Sequence, residues 1–138
     1  MYAVDDQDTV VALDTLPRPS AGAPLPRLEA DEFEARVTYY VWGGDEETTV
    51  TFAGVYALLF GAPNDEAFDG HPLAERGLAP YGAFEIERSS WIRALERMNR
   101  VHEAHRAASL EGLRHFVIAF HDSTLECVAE SARAAGAV

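Results

Sequence analysis

The fold is decided by residues 115–131, which have the sequence HFVIAFHDSTLECVAES. Two runs of strand-forming residues flank Asp122-Ser123, and this pattern predicts a β-hairpin with a two-residue turn. In that register Phe120 faces Leu125 and Ala119 faces Glu126. Because facing residues lie on the same side of a sheet, the register separates an apolar face from a half-polar one.

The apolar face of the hairpin predicts a buried core. Its members are Phe116, Ile118, Phe120, Leu125, Cys127 and Ala129. A helix capped by Ser89 or Ser90 is the expected packing partner, because its spacing predicts one apolar stripe. That stripe contains Trp91, Leu95 and Met98. We predict that the helix ends near Ser109 and that its stripe covers the apolar face of the hairpin.

The other strand-like segments are residues 9–13, 34–42, 48–60 and 83–88. Gly54 interrupts the longest of them and predicts a bulge. Together these elements predict an α+β fold, with a mainly antiparallel sheet of about five strands and one long helix packed on one face. We expect a single domain over residues 1–138, with frayed ends at 1–8 and 132–138. Residues 16–28 are rich in proline and predict a surface arm.

Composition limits the class of function. The chain has 138 residues and a net charge of −12, and residues 1–70 hold 14 acidic but only 3 basic residues. This balance argues against nucleic acid and favours a basic partner or simple solubility. No apolar run approaches the length of a membrane span. A single cysteine, Cys127, predicts a reducing compartment such as the cytoplasm. All eleven basic residues are arginine, which suggests a GC-rich bacterial genome.

Three segments, PSAGAPLP, PNDEAFDGHPL and FHDSTLEC, resemble small bacterial proteins of unknown function. The resemblance covers most of the chain, and it implies no activity.

The half-polar face of the hairpin is the first candidate site. It contains His115, His121, Thr124, Glu126 and Glu130. Histidine beside a carboxylate can transfer a proton or bind a divalent metal ion. Half-polar faces are also normal on antiparallel sheets, so cross-strand pairs in solvent are the alternative interpretation.

The long connection over residues 61–81 is the second candidate. It contains Asn64, Asp65, Glu66, Asp69 and His71, which could bind a polar ligand or a metal ion. Turns and caps use the same residue types, and we expect two short helical turns here, the second ending at Gly77. Long ordered loops are frequent places for function.

We predict that the connection folds back over the sheet and brings His71 to His121 and Glu126. These three residues are the predicted catalytic or metal-binding set, and a divalent metal is the candidate cofactor. The first functional hypothesis is therefore a small-molecule or metal pocket, with or without catalysis. The second is a non-enzymatic acidic module, similar to an immunity or regulatory protein, that binds a basic protein. Nearby histidines favour the first hypothesis, and an acidic patch around exposed aromatic residues favours the second.

Overall fold

The computed structural model describes residues 2–22 and 26–135. Within these residues it contains nine strands in two antiparallel sheets, together with one α-helix. The strands are β1 (Thr9–Ala12), β2 (Arg27–Ala30), β3 (Glu34–Tyr40), β4 (Glu47–Ala53), β5 (Ala57–Gly61), β6 (Gly82–Glu87), β7 (Arg114–Ala119), β8 (Thr124–Ala129) and β9 (Ser131–Ala134). The order is β1-β6-β7-β8-β5 in one sheet and β2-β3-β4-β9 in the other. The α+β class is confirmed. The prediction of a single sheet with about five strands is wrong, because the structure has two sheets and nine strands.

The predicted hairpin is β7 and β8, at the centre of the five-stranded sheet. Its register differs from the prediction by two residues, because Ile118 rather than Phe120 faces Leu125. The turn sits one residue earlier, and the backbone N–H of Phe120 donates to the carbonyl of Ser123 (2.8 Å). A shift of two residues keeps every side chain on its predicted face, so the separation into two faces survives.

The apolar face of the hairpin is buried, but against the second sheet and not against the helix. Phe116 packs on Phe52 of β4 with ring centroids 5.7 Å apart, and Phe120 packs on Tyr39 of β3 at 5.2 Å. Alternating apolar residues of β3 and β4 supply the other half of this core, as strands buried on one face do. The predicted helix-to-hairpin core is therefore wrong.

Gly54 marks the point where the prediction of a single sheet failed. The segment 48–60 is two strands: β4 belongs to the four-stranded sheet, and β5 belongs to the five-stranded sheet. Gly54 lies between them with a φ of 65°, a left-handed conformation that favours glycine. The residue predicted as a bulge is thus the point where the chain changes sheets.

Helix α1 spans Ser90–Asn99 and is shorter than predicted. Ser89 is its N-cap, as expected, with Oγ accepting from the N–H of Ile92 (3.2 Å). The chain turns soon after Asn99, whose side chain bonds the ring of His105 (2.9 Å). Trp91 is buried and Leu95 is half-buried, but Met98 is 63% exposed, so burial of the predicted stripe decreases along the helix.

The connection between β5 and β6 covers the second face of the five-stranded sheet, as predicted. It contains two 3₁₀ turns, Phe68–Gly70 and Ala74–Arg76, and Gly77 ends the second in a left-handed conformation. A second core forms beneath this connection from Phe68, Leu73, Leu78, Phe84, Ile86, Val117 and Ala119. The connection therefore lies on the sheet face that carries Glu126.

The N-terminal segment and the proline-rich arm are also packed on the domain. Asp8 is only 4% exposed, and its carboxylate accepts from the N–H of Ser90 (2.7 Å) at the start of α1. In the arm, Leu16 is buried and Pro19 forms a bridge with Val41. Residues 23–25 of the arm lie outside the described residues.

Candidate functional site

A buried carboxylate, Glu126, is the centre of the first polar cluster. It lies on β8 beneath the covering connection and is 1% exposed. Oε2 lies 2.8 Å from Nε2 of His71, and Oε1 lies 2.7 Å from Nε2 of His115. The hydroxyl of Tyr2 donates to Oε1 as well, at 2.5 Å. The structure thus joins His71 to Glu126 as predicted, but the second histidine in this cluster is His115 and not His121.

The tautomer of His71 follows from its other ring nitrogen. Nδ1 lies 3.0 Å from the backbone N–H of Leu73, which is always a donor, so Nδ1 must accept. The proton of the neutral ring then resides on Nε2 and is donated to Glu126. The Pro72 that follows keeps His71 in an extended backbone conformation (ψ 136°), which fixes the ring over β8.

His115 is held from three sides. Its Nδ1 lies 2.8 Å from Oγ of Ser89, the same oxygen that caps α1. The ring of Trp91 packs edge-on at 5.1 Å, and Tyr2 also packs edge-on at 5.3 Å. Tyr2 in turn stacks on Trp91 at 5.3 Å. The N-terminal segment and the first turn of α1 therefore close the cluster.

Glu126 stays ionised although its side chain is buried. Burial by itself would raise the pKa of this carboxyl, but hydrogen bonds from His115, His71 and Tyr2 outweigh it and lower the pKa to about 2. A carboxylate that accepts two or three hydrogen bonds behaves in this way. The pKa of the Tyr2 hydroxyl moves far above its usual value, first because of burial and then because of the Glu126 charge.

A metal ion in this cluster would compete with its hydrogen bonds for nitrogen and oxygen lone pairs. A neutral histidine ligates through an unprotonated nitrogen, and Nε2 of His71 carries its proton. Each oxygen of Glu126 accepts a hydrogen bond. Among the residues that the structure describes, no group of three His, Cys, Asp or Glu residues is arranged to hold a metal ion.

His121 belongs to a second cluster, at the end of the sheets where the β7–β8 turn lies. Its Nδ1 is 3.0 Å from Oδ2 of Asp65, and the hydroxyl of Tyr81 donates to the same oxygen. The Tyr81 hydrogen bond lowers the pKa of Asp65 below its ordinary value, and the neighbouring His121 lowers it further. The hydrogen bond to Asp65 also raises the pKa of Tyr81 to about 12. Asp65 is thus an ionised acceptor that orients His121.

Exposed aromatic and acidic residues surround this second cluster. Trp42, which is 47% exposed in the β3–β4 turn, lies 6.0 Å from the ring of Tyr81. The guanidinium of Arg18 stacks 4.5 Å above the Trp42 ring and donates to the carbonyl of Tyr81 (2.9 Å). We define the turn-end surface as the set Arg18, Trp42, Asp45, Glu46, Asp65, Tyr81, His121 and Asp122. This set contains four carboxylates and one guanidinium.

The remaining predicted site residues have local roles. Asn64 accepts from the N–H of Ala67 (2.9 Å) and shapes a turn. Thr124 is buried and donates to the carbonyl of Pro63 (2.9 Å). Glu66 and Asp69 are exposed on the covering connection.

Sequence reasoning missed Tyr2 and Ser89 in the first cluster and Trp42 and Tyr81 in the second. Tyr2 and Glu126 are 124 positions apart, and residues 1–8 carry no pattern that indicates packing. Ser89 was assigned as a helix cap, and its second contact needed the three-dimensional position of β7. The only available signal for Trp42 was its place beside the turn Gly43-Gly44, where a large aromatic residue is seldom buried.

No protein-family model, curated protein or solved structure gives a significant match to the chain. The described residues contain no helix with the length and apolar character that spanning a bilayer requires.

Proposed function

We propose that this protein is a non-enzymatic binding module whose turn-end surface engages a basic protein partner through arginine side chains. The observation that carries the proposal is the guanidinium of Arg18 stacked on Trp42, 4.5 Å from the ring centroid. The chain's own arginine demonstrates the chemistry that this surface accepts. A guanidinium over an indole ring is a favourable cation–π contact.

The charges around Trp42 support the same partner. Asp45 and Glu46 lie in the β3–β4 turn beside Trp42, and Asp122 lies in the β7–β8 turn beside His121, all of them exposed. A surface with more carboxylates than guanidinium groups attracts positive charge and accelerates encounter with a basic partner. Arginine fits better than lysine, because its planar group both stacks and forms paired hydrogen bonds to a carboxylate.

The buried cluster around Glu126 fits a structural role better than the predicted ligand pocket. His71, His115 and Glu126 are 4%, 0% and 1% exposed, so a ligand would have to displace the covering connection or the N-terminal segment. Their hydrogen-bonding groups are also satisfied, by one another and by Tyr2, Leu73 and Ser89. A buried network that is fully satisfied fixes the packing of the elements it joins. A cytoplasmic location, suggested by the single cysteine, is part of this proposal.

The direct test is titration with octa-arginine and octa-lysine peptides by isothermal calorimetry. We expect octa-arginine to bind more tightly than octa-lysine, and both to weaken as salt is added. Trp42→Ala should weaken octa-arginine binding roughly two- to fivefold, which corresponds to the 0.5–1 kcal/mol of an exposed cation–π contact. Equal affinity for the two peptides, with no effect of Trp42→Ala, would contradict the proposal.

Non-specific attraction by the net charge of −12 needs its own control. The double variant Asp45→Asn/Glu46→Gln removes two charges from the turn-end surface. The matched variant Glu32→Gln/Glu130→Gln removes two exposed charges at the opposite end of the sheets. We expect the first variant to weaken octa-arginine binding clearly more than the second. Equal losses would mean that only total charge matters.

A second candidate function is proton transfer by His121. Asp65 binds Nδ1 of His121 at 3.0 Å, the side chain is 45% exposed, and Nε2 lies 3.8 Å from the exposed carboxylate of Asp122. A carboxylate that orients an imidazole in this way is part of many hydrolytic sites. Hydrolysis of a nitrophenyl ester tests it: catalysis lost in both His121→Asn and Asp65→Asn would favour this activity. Ester hydrolysis at the uncatalysed rate in the parent protein and in both variants would reject this activity.

A further inference from the structure

One outer edge of the five-stranded sheet is formed by β5, which lies within a long uncharged stretch of the chain. Residues 48–64 contain no Asp, Glu, Arg or Lys, although a quarter of the chain is charged. Leu59 and Phe60 on this strand are 39% and 43% exposed, and the preceding Tyr56 is 42% exposed. An uncharged edge strand with free backbone groups is a template for pairing with another strand.

The other three sheet edges are protected in recognised ways. The edge strand β2 carries Arg27 and Glu29, and β9 carries Arg133 beside Glu130. The strand β1 is uncharged but has only four residues, and the guanidinium of Arg88 donates to the hydroxyl of Thr9 at its start. Charges and short lengths are the usual devices against unwanted strand pairing. Among the described edge strands, β5 is the longest, with five residues, and the uncharged stretch 48–64 surrounds it, so its edge is the least protected against pairing.

We propose that β5 pairs antiparallel with β5 of a second copy of this chain, about a twofold axis at Leu59, to form a continuous ten-stranded sheet. In this arrangement Leu59 faces Leu59, Leu58 faces Phe60, and Ala57 faces Gly61. Every apposed pair is uncharged, and the small residues lie opposite one another. A twofold interface requires this kind of self-complementary surface.

The sheet face beside β5 has room for the partner. A groove of about 250 Å³ runs along it and is lined by Leu59, Phe60, Gly61, Ala62, Thr124 and Glu126. Leu59 and Glu126 are neighbours across the β5–β8 pair, so they lie on the same face. The leucine at position 59 of the second copy would enter this groove next to its counterpart.

Charge distinguishes a second copy from a basic strand. The strand β5 offers no acidic side chain to a basic partner, so the neutral edge fits a neutral strand. Two copies that each carry −12 also repel one another at long range. Dimerisation through β5 should therefore strengthen as salt screens the repulsion, whereas binding of a basic partner at the turn-end surface should weaken.

Sedimentation equilibrium of the full chain at about 0.05 M and about 0.5 M NaCl tests the proposal, because the Debye length falls roughly threefold over this range. We expect a reversible dimer whose dissociation constant decreases several-fold at the higher salt. Leu59→Lys should be monomeric, while Val11→Lys, on the opposite edge strand β1, should dimerise like the parent protein. A parent protein that stays monomeric at both salt concentrations, or an unchanged dimer of Leu59→Lys, would overturn the proposal.

A cross-linking experiment keeps the test valid if Leu59→Lys does not fold. Facing side chains in an antiparallel pair have Cβ atoms about 4.5–5.5 Å apart, close enough for a disulfide after a small adjustment. The native Cys127 is fully buried and does not compete. Leu59→Cys should form a disulfide-linked dimer under mild oxidation, and Val11→Cys should not. Equal cross-linking of the two variants, or none in Leu59→Cys, would contradict pairing at β5.

Discussion

Replacing Glu126 with glutamine tests the buried cluster most sharply. Glutamine keeps the size of the side chain but removes the charge, as protonation would. The pKa of Glu126 is lowered from 4.5 to about 2, and this difference corresponds to about 3 kcal/mol of stability at neutral pH. We therefore expect Glu126→Gln to lower the free energy of unfolding at pH 7 by about 3 kcal/mol.

The effect of Glu126→Gln on stability should depend on pH in one direction. A carboxyl with a lowered pKa stabilises the folded state above its unfolded pKa, and this stabilisation is lost as pH falls from about 4.5 towards 2. Glutamine does not titrate, so the stability difference between parent and Glu126→Gln should shrink in acid. By linkage, it should fall to roughly half its neutral value near pH 3.

Urea denaturation followed by circular dichroism at pH 7, 4 and 3 measures these differences. Glu103→Gln, at an exposed position, is the matched control and should change stability by less than about 0.5 kcal/mol. Glu126→Ala should cost more than Glu126→Gln, because it strands up to three buried donors at about 1–3 kcal/mol each. A Glu126→Gln effect below about 1 kcal/mol, or a difference that does not change with pH, would mean that the ionised Glu126 does not stabilise the fold.

Three further predictions concern the core, the sheet change and the N-terminal residue. Phe52→Ala should cost roughly 3–5 kcal/mol in urea denaturation, because Phe52 is fully buried, whereas Met98→Ala should cost under about 0.5 kcal/mol. Gly54→Ala should lower the melting temperature, since a φ of 65° disfavours alanine and costs about 1 kcal/mol or more; an unchanged melting temperature would contradict that backbone assignment. Tyr2→Phe should cost about 1.5–3 kcal/mol at pH 7 by removing a hydrogen bond to the charged Glu126. The raised pKa of Tyr2 also predicts that the parent loses stability above about pH 10, and that Tyr2→Phe loses less over the same pH range.

Local patterns in the sequence predicted which face of a strand is buried. They predicted less well which residues face each other and which element covers the buried face. The alternation in 115–131 assigned Phe116, Ile118 and Leu125 to the core correctly, even though the register differed by two residues. Alternation has a period of two, so it cannot detect a shift of two. It also does not indicate what covers a face, which is why the helix was expected where the second sheet lies. Gly54 carried a signal, but a bulge and a change of sheet have the same local requirement.

The contact between the covering connection and Glu126 could be predicted from the sequence. The contacts made by residues far away along the chain could not. The connection was predicted to fold back over the sheet and carry His71 to Glu126, and His71 does contact Glu126. His121 was assigned to the same face by a turn placed one residue too late. In the structure it lies in the turn itself, beside Asp65. The contacts of Tyr2 span almost the entire chain and leave no local trace.

The most direct test of the proposed binding function is a ¹H–¹⁵N correlation spectrum of the protein titrated with octa-arginine. We expect the largest shift changes at the turn-end surface, in residues 41–46, at Asp65 and Tyr81, and at 121–122. Amides around Glu126 and along β5 should move little. Changes centred on β5 or on the residues that cover Glu126, or spread evenly over all acidic surfaces, would contradict the assignment of binding to the turn-end surface.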